Sequence, residues 1–200
     1  MQFGYVKRPT HRSRAYDKDR FEVCNHRYTA LVDGSHGAAV LNDCKYGISV
    51  NGSSMELTLL RGAASPEMRA DKGHHHFTYA FTAWEGSFID SDVIRQGYEL
   101  NVKPIVFKGK CDNFSFADID KKNIFLDTIK PAEDGSGDIV LRLYEAAGAA
   151  TKAKVKTVLN GEAYLCNMLE EESEKTEFAD GELLLDFRAF EVKTIRIKSR

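Results

Sequence analysis

Over most of its length this chain alternates apolar and polar positions with a period of two. Such alternation runs from Lys45 to Val50 and again through Met55, Leu57 and Leu59, and the two runs are separated by Asn51-Gly52. Asn-Gly tolerates the positive φ angles of a tight hairpin turn, so the pattern predicts a β-hairpin over residues 45–61. Similar short runs predict strands at Phe21 to Cys24, His74 to Trp84, Phe114 to Ile119, Ile124 to Ile129, Ile139 to Tyr144, Ala153 to Val158, Ala163 to Leu169, Leu183 to Phe187 and Phe190 to Ile197. Turn residues punctuate them at Asp33-Gly34, Asp134 to Gly137, Asn160-Gly161 and Asp180-Gly181. About ten short strands at this spacing predict a mainly β protein of antiparallel β-sandwich domains, with two sub-domains in tandem. Only Ser91 to Leu100 reads as helical, with Asp92 as N-cap and Gly97 as an interruption.

The polar stretch from Phe107 to Asn113 separates two strand-rich halves and sets the predicted boundary, residues 1–108 against 109–200. The second half has enough strands for a small sandwich of its own. The first half opens on twenty charged, aperiodic residues, an unusual start for an independent domain, and reads as part of something longer. The sequence shows no internal repeat and no low-complexity tract.

Composition narrows the function classes. The 28 Lys and Arg against 30 Asp and Glu give a net charge of −2, with no basic excess to neutralise a phosphate backbone, so no nucleic-acid partner is expected. The longest apolar runs, Ala38 to Leu41 and Ala163 to Cys166, are four residues, and no membrane partner is expected either. Lys7, Arg8, Arg12, Arg14 and Asp17 to Arg20 leave no room for a secretory h-region, which predicts a cytoplasmic location. Cys24, Cys44, Cys111 and Cys166 are widely spaced and read as free thiols.

Candidate chemistry is sparse. On a strand, His74 and His76 would share a face opposite His75, but a metal site needs a further ligand, so the triplet reads as strand-edge histidines. Two carboxylates flanking a sugar would make a glycosidase, and Asp43, Asp71, Asp90 and Asp92 lie in predicted loops at sheet ends. With 30 acidic residues in the chain, a chance pair is too common to carry that reading. The run Glu170 to Glu174 belongs in a solvated loop. Tyr5, Tyr16, Tyr28, Tyr46, Trp84 and Tyr144 are candidate platforms for a pyranose ring, although most aromatics of a β protein fill its core. No nucleophile elbow, phosphate loop or dinucleotide fingerprint is present.

Several stretches taken in order resemble one family. Phe3 to His11, Arg20 to Val23 with His26-Arg27, Val40 to Gly47, Leu57 to Arg61, and Ala70 to Gly73 with His75 and Phe77 to Ala80 are similar to the C-terminal half of the family 38 α-mannosidases, especially their cytosolic branch. Ile139 to Ala146 and Phe190 to Thr194 resemble that family's last sandwich. The resemblance implies that residues 1–108 are part of a large central β-sandwich and that 109–200 form a small C-terminal one. It implies retaining hydrolysis of α-mannosides by a longer parent, whose catalytic carboxylates and zinc lie on an N-terminal α/β barrel, leaving no catalytic residue and no cofactor in this chain. The sequence departs from the family at Arg12 to Asp17, where an Asn-Thr-Ser-Trp-Asp-like run is usual.

On this reading the chain braces the missing catalytic domain, its first partner, and helps line a cleft for mannose-containing glycans. Arg61, Asp71, Asn42, Asp43, Tyr46 and His75 are the positions assigned to substrate cleft or domain contact. His75 falls on the family's recurring histidine, which leaves its two neighbours incidental. A surface built for an absent domain also predicts self-association through residues before Lys108, and a poorly ordered loop from Arg61 to Gly73. The rival readings are a free-standing carbohydrate-binding module and a purely structural interaction domain.

Overall fold

The computed structural model describes residues 2–199. In chain order the elements are α1 (Ala15–Asp19), β1 (Val23–Cys24), β2 (Tyr28–Asp33), β3 (His36–Asn42), β4 (Gly47–Asn51), β5 (Ser54–Leu57), β6 (Tyr79–Glu85), α2 (Val93–Asn101), β7 (Ala117–Ile119), β8 (Ile124–Pro131), β9 (Ile139–Glu145), β10 (Thr151–Thr157), β11 (Gly161–Cys166), β12 (Glu172–Thr176), β13 (Phe178–Ala179), β14 (Glu182–Phe187) and β15 (Val192–Ser199). Every strand pairing is antiparallel. The strands form sheets ordered β1-β4-β5, β2-β3-β6, β13-β14-β10-β7 and β12-β11-β15-β9-β8. Among the described residues no helix is long and apolar enough to cross a membrane.

The chain divides into two units, one of Val6–Phe107 and one running from Lys108 onward that also takes in Gln2–Tyr5. The second unit is a two-layer sandwich. β10 alternates Ala153, Val155 and Thr157 inward with Lys152, Lys154 and Lys156 outward, and β14 answers with Leu183, Leu185 and Phe187. These meet Leu141, Leu143, Ala163, Ile195 and Ile197 of the five-stranded sheet in one buried cluster. Burial of this kind stabilises by roughly 1.5–3 kcal/mol per large apolar side chain, so the shared core holds the two layers together. The N-terminal segment packs outside that cluster, toward the opposite face of β9: Phe3 lies 5.0 Å from Tyr144, Tyr5 stands edge-on to Phe190 at 5.3 Å, and the Tyr5 hydroxyl donates to the Ala147 carbonyl at 3.0 Å. Burial, then the nearby Glu145 carboxylate, pushes the Tyr5 phenol above its usual range.

In the first unit α2 packs on the sheet β2-β3-β6 through Val93, Ala39 and Leu41, with Tyr28, Trp84, Phe88 and Leu100 around them. Gly97 has a packing role in the helix: a Cβ there would sit 3.1 Å from the Tyr28 ring. Gly37 is more constrained, since a Cβ would overlap the Trp84 indole that faces it across the sheet.

The predicted hairpin forms as β4 and β5 with Gly52 at positive φ, and the predicted helix forms as α2. Two expectations fail. Residues 74–78 lie outside any strand, so the three histidines do not alternate across a sheet. The acidic run is not a solvated loop throughout: Glu170 is buried, 2.6 Å from Lys130 Nζ, and accepts from the Glu133 amide at 2.9 Å, while β12 begins at Glu172. A paired carboxylate tolerates burial that a free one would not, and Lys130, then the Glu133 N–H, holds Glu170 below the usual carboxylate range.

Candidate functional site

The end of β3 carries a polar node. Asn42 is fully buried, yet its polar groups are mostly occupied. Its amide donates to the Arg27 carbonyl at 2.9 Å, its Oδ1 accepts from Lys45 N at 2.8 Å, and its carbonyl accepts from Asn101 Nδ2 at 3.0 Å. The Asn42 side chain accepts from the backbone three residues on, a local bond that competes with continued strand pairing and fits the bend where the apolar run of β3 stops. Asn25 ties down the other side of that turn, donating from its side chain to the Lys45 carbonyl at 3.0 Å and from its backbone to the Tyr46 carbonyl at 2.7 Å. Arg27 adopts φ +65°, a conformation unfavourable for a non-glycine residue, at the point where its carbonyl meets Asn42.

Asp43 continues the pairing with β6 by donating its N–H to the Thr78 carbonyl at 3.1 Å. The Thr78 backbone N–H, then the Cys44 thiol, holds the Asp43 carboxyl below its usual range, and Asp43 in turn pushes the Cys44 thiol up. Asn42 Nδ2 and Asp43 Oδ1 are buried without partners, so neighbouring residues keep one unused donor and one unused acceptor. Tyr46 is 53% exposed and stacks on His26 with ring centroids 6.3 Å apart, which gives a flat aromatic surface beside the turn. The Lys45 ammonium sits 4.7 Å from the Phe77 ring centroid.

Arg61, Asp71 and His75 belong to a second group. Asp71 closes the loop by accepting from the Gly62 amide at 3.2 Å, and its own carbonyl lies 2.8 Å from His75 Nε2. Arg61 lies 3.5 Å from Glu22, whose other oxygen accepts from the Thr58 hydroxyl at 2.8 Å. Glu22 also covers Gly47, where a Cβ would meet its Oε1 at 2.6 Å. Through Glu22 the second group therefore reaches the residue next to Tyr46. Of the candidate aromatics, Tyr144 is buried, and Trp84 and Tyr28 pack around the α2 core.

Sequence reasoning missed Glu22, Asn25, Thr78 and Asn101, which hold the node together from distant parts of the chain. Glu22 and Thr78 lay inside the family stretches Arg20 to Val23 and Phe77 to Ala80; Asn25 and Asn101 gave no signal, because a single polar residue in a loop looks the same whether or not it has a distant partner. Among the described residues no three His, Cys, Asp or Glu side chains converge as metal ligands. All four cysteines are free.

These features define a mainly β, antiparallel sandwich protein whose candidate site is a loop-built polar surface. Comparison with known proteins makes this specific. Residues 1–69 match the family described as glycosyl hydrolases family 38 C-terminal domain, and residues 123–195 match the glycosyl hydrolases family 38 C-terminal beta sandwich domain. The chain belongs to the C-terminal region of glycosyl hydrolase family 38. It is 38% identical over 204 residues to Alpha-mannosidase 2C1 of Homo sapiens, covering 98% of this chain and 20% of that protein. It is 36% identical over 210 residues to Alpha-mannosidase G of Dictyostelium discoideum, covering 100% and 19%. The chain thus spans about a fifth of the length of the curated relatives it matches. The fold is similar to a solved alpha-mannosidase from Enterococcus faecalis V583, with a TM-score of 0.74 at 19% identity over 98% of this chain and 23% of that one.

Proposed function

We propose that this chain is the non-catalytic C-terminal portion of a cytoplasmic α-mannosidase that hydrolyses α-mannosides with retention. The carrying observation is an alignment at 38% identity over 98% of the chain that occupies only 20% of the relative. The remaining length of such a parent holds the catalytic carboxylates and the divalent metal, zinc in this reading, so no step of the reaction is assigned to residues of this chain. Its tasks are to brace the catalytic domain and to wall one side of the glycan cleft.

Within that role the residues divide by exposure. Tyr46 offers its ring face to a pyranose, as exposed aromatics stacked on a second ring are placed to do. Asn42 acts as a positioning residue: buried itself, it fixes the turn that presents Asp43 and Tyr46. Arg61, Asp71 and His75 supply polar groups at the neighbouring loop, with Asp71 holding that loop closed. In isolation the chain self-associates through the surface that precedes Lys108, where the parent would otherwise cover it.

The test is to express the longest open reading frame that contains this chain and to measure release of an aryl leaving group from an α-mannoside. Hydrolysis, with a rise in KM on Tyr46→Ala, is expected. An inactive longer polypeptide, or none, overturns the reading.

A further inference from the structure

Sheet edges are hazardous because their free N–H and C=O groups pair with any passing strand, and proteins blunt them with short strands, charge, proline or bulges. The second unit uses all of these. Its four-stranded sheet ends in β7 and β13, of three and two residues. Its five-stranded sheet ends in the charged β12, Glu-Ser-Glu-Lys-Thr, and in β8, which has an irregularity between Leu126 and Thr128 and finishes on Lys130-Pro131. The sheet β1-β4-β5 likewise ends in strands of two and four residues.

The edge strand β6 has no such protection. It runs seven residues, Tyr-Ala-Phe-Thr-Ala-Trp-Glu, with no Lys, Arg or Pro and an unbroken register against β3. Its polarity is also turned around. The bonds Asp43 N to Thr78 O and Gly86 N to Ser35 O lie on the same register as the β3–β6 pairs and mark hydrogen-bonded positions at both ends of the strand. Hydrogen-bonded and non-hydrogen-bonded pairs alternate in an antiparallel ladder, so Ala80, Thr82 and Trp84 bond to β3. Tyr79, Phe81, Ala83 and Glu85 then aim their N–H and C=O groups at the open edge. Three of those four residues are apolar or aromatic, and all four side chains are exposed, Phe81 to 70% and Tyr79 to 58%. The other edge of this sheet, β2, is mostly half-buried and presents no comparable aromatic pair. An unpaired backbone edge coinciding with exposed aromatic side chains is the arrangement that strand addition uses.

We infer that β6 is an internal strand of a larger sheet, completed along its Tyr79–Glu85 edge by an extended strand from the part of the parent polypeptide that lies outside this chain. The occupant follows from length: the relatives devote about four-fifths of their residues to regions that this chain does not cover. The inference rests on the proposed membership in a longer polypeptide, but not on that polypeptide being a mannosidase.

The experiment is amide hydrogen exchange on this 200-residue chain and on the longest polypeptide encoded with it, both at high dilution, with aryl α-mannoside hydrolysis measured in parallel. The Phe81 and Ala83 amides are expected to exchange about 100-fold more slowly in the longer polypeptide, independently of concentration. Ala83→Pro removes an outward N–H without breaking a bond to β3, so it should lower the melting temperature of the longer polypeptide while sparing that of the 200-residue chain. Equal exchange in the two proteins, protection that vanishes on dilution and so belongs to a second copy, or the absence of any longer reading frame overturns the inference. Protection in a polypeptide without mannosidase activity upholds the strand and sinks the enzymatic reading; activity without protection does the reverse.

Discussion

Glu145 is fully buried in the second unit, without a cation among the groups that bind it. Its Oε1 accepts from Asn123 Nδ2 at 2.8 Å and from Ala147 N at 2.7 Å, and its Oε2 accepts from the amides of Gly148, Ala149 and Phe190 at 2.8, 3.1 and 2.9 Å. Successive backbone N–H groups form an anion-binding concavity, and here the chain fills it with its own carboxylate. Gly148 at φ +75° and Phe190 at φ +57° supply the backbone turns that aim those amides. Gly148 and Gly4 leave room for the Phe190 ring, which would lie 2.7 Å from a Cβ at either position. Glu145→Gln keeps one acceptor oxygen and leaves at least two buried N–H donors facing an amide nitrogen, so it should lower unfolding free energy by about 2–4 kcal/mol, measured by urea titration. A loss under about 1 kcal/mol would mean that the loop re-forms its bonds elsewhere. Asp134 poses a different residue-level question. The Ser136 hydroxyl and N–H, then Arg196, pull its carboxyl from 3.8 down to about 2. Because the folded value lies below the unfolded one, the unfolded chain takes up the proton first as pH falls. The contribution is therefore present above about pH 4 and is lost as pH drops toward 2. Exposure keeps it small. Asp134→Asn should flatten the urea midpoint over that interval, and an unchanged pH slope would exclude Asp134 as its source.

The loop between β5 and β6 is held by Asp71, whose carboxylate accepts from Gly62 and whose carbonyl meets His75. If this loop walls a glycan cleft, Arg61→Ala and Asp71→Ala in the longer enzyme should raise KM or lower kcat several-fold with little change in melting temperature. Unchanged kinetics in both variants would confine the loop to a connection. Elements of this kind were unequally legible in the sequence. β10 and β14 read clearly because each has one buried and one solvated face, so their residues alternate. β2 and β3 went unread: Gly37 to Asn42 is buried or half-buried on both faces, which erases the alternation and leaves a short apolar run. β12 looked like a loop because backbone pairing to β11, not apolar burial, makes it a strand. The stretch 74–78 failed in the opposite direction, since its alternating aromatics and histidines pair with no neighbouring strand beyond the single Asp43–Thr78 bond. Of the turn at Asn42 to Tyr46, Asp43 was visible in a predicted loop at a sheet end, while Asn42 and Tyr46 stood out only within the family stretch Val40 to Gly47, Tyr46 being read as part of the hairpin. Asn101 and Asn25, which fix that turn, were not visible, because their partnership exists only once distant segments have met.

At the scale of the molecule, the second unit closes its sheet edges and fills its core, while the first leaves β6 bare and carries the candidate site on loops. A unit that is complete by its own chemistry and one that is not imply different fates outside a parent protein. Retaining hydrolysis needs two carboxyl groups about 5–5.5 Å apart on either side of a bound sugar. The candidate surface offers Asp43 and Asp71 on separate loops, and Asp71 is already engaged with Gly62. The 200-residue chain, purified away from host glycosidases, should therefore release no aryl group from an α-mannoside. Mannose should likewise leave its melting temperature in place, because a ligand stabilises a fold only in proportion to its occupancy of the native state. An upward shift that grows with mannose concentration would instead support a free-standing binding module. Turnover abolished by Asp43→Asn or Asp71→Asn would place catalysis within this chain and overturn its assignment as the non-catalytic portion.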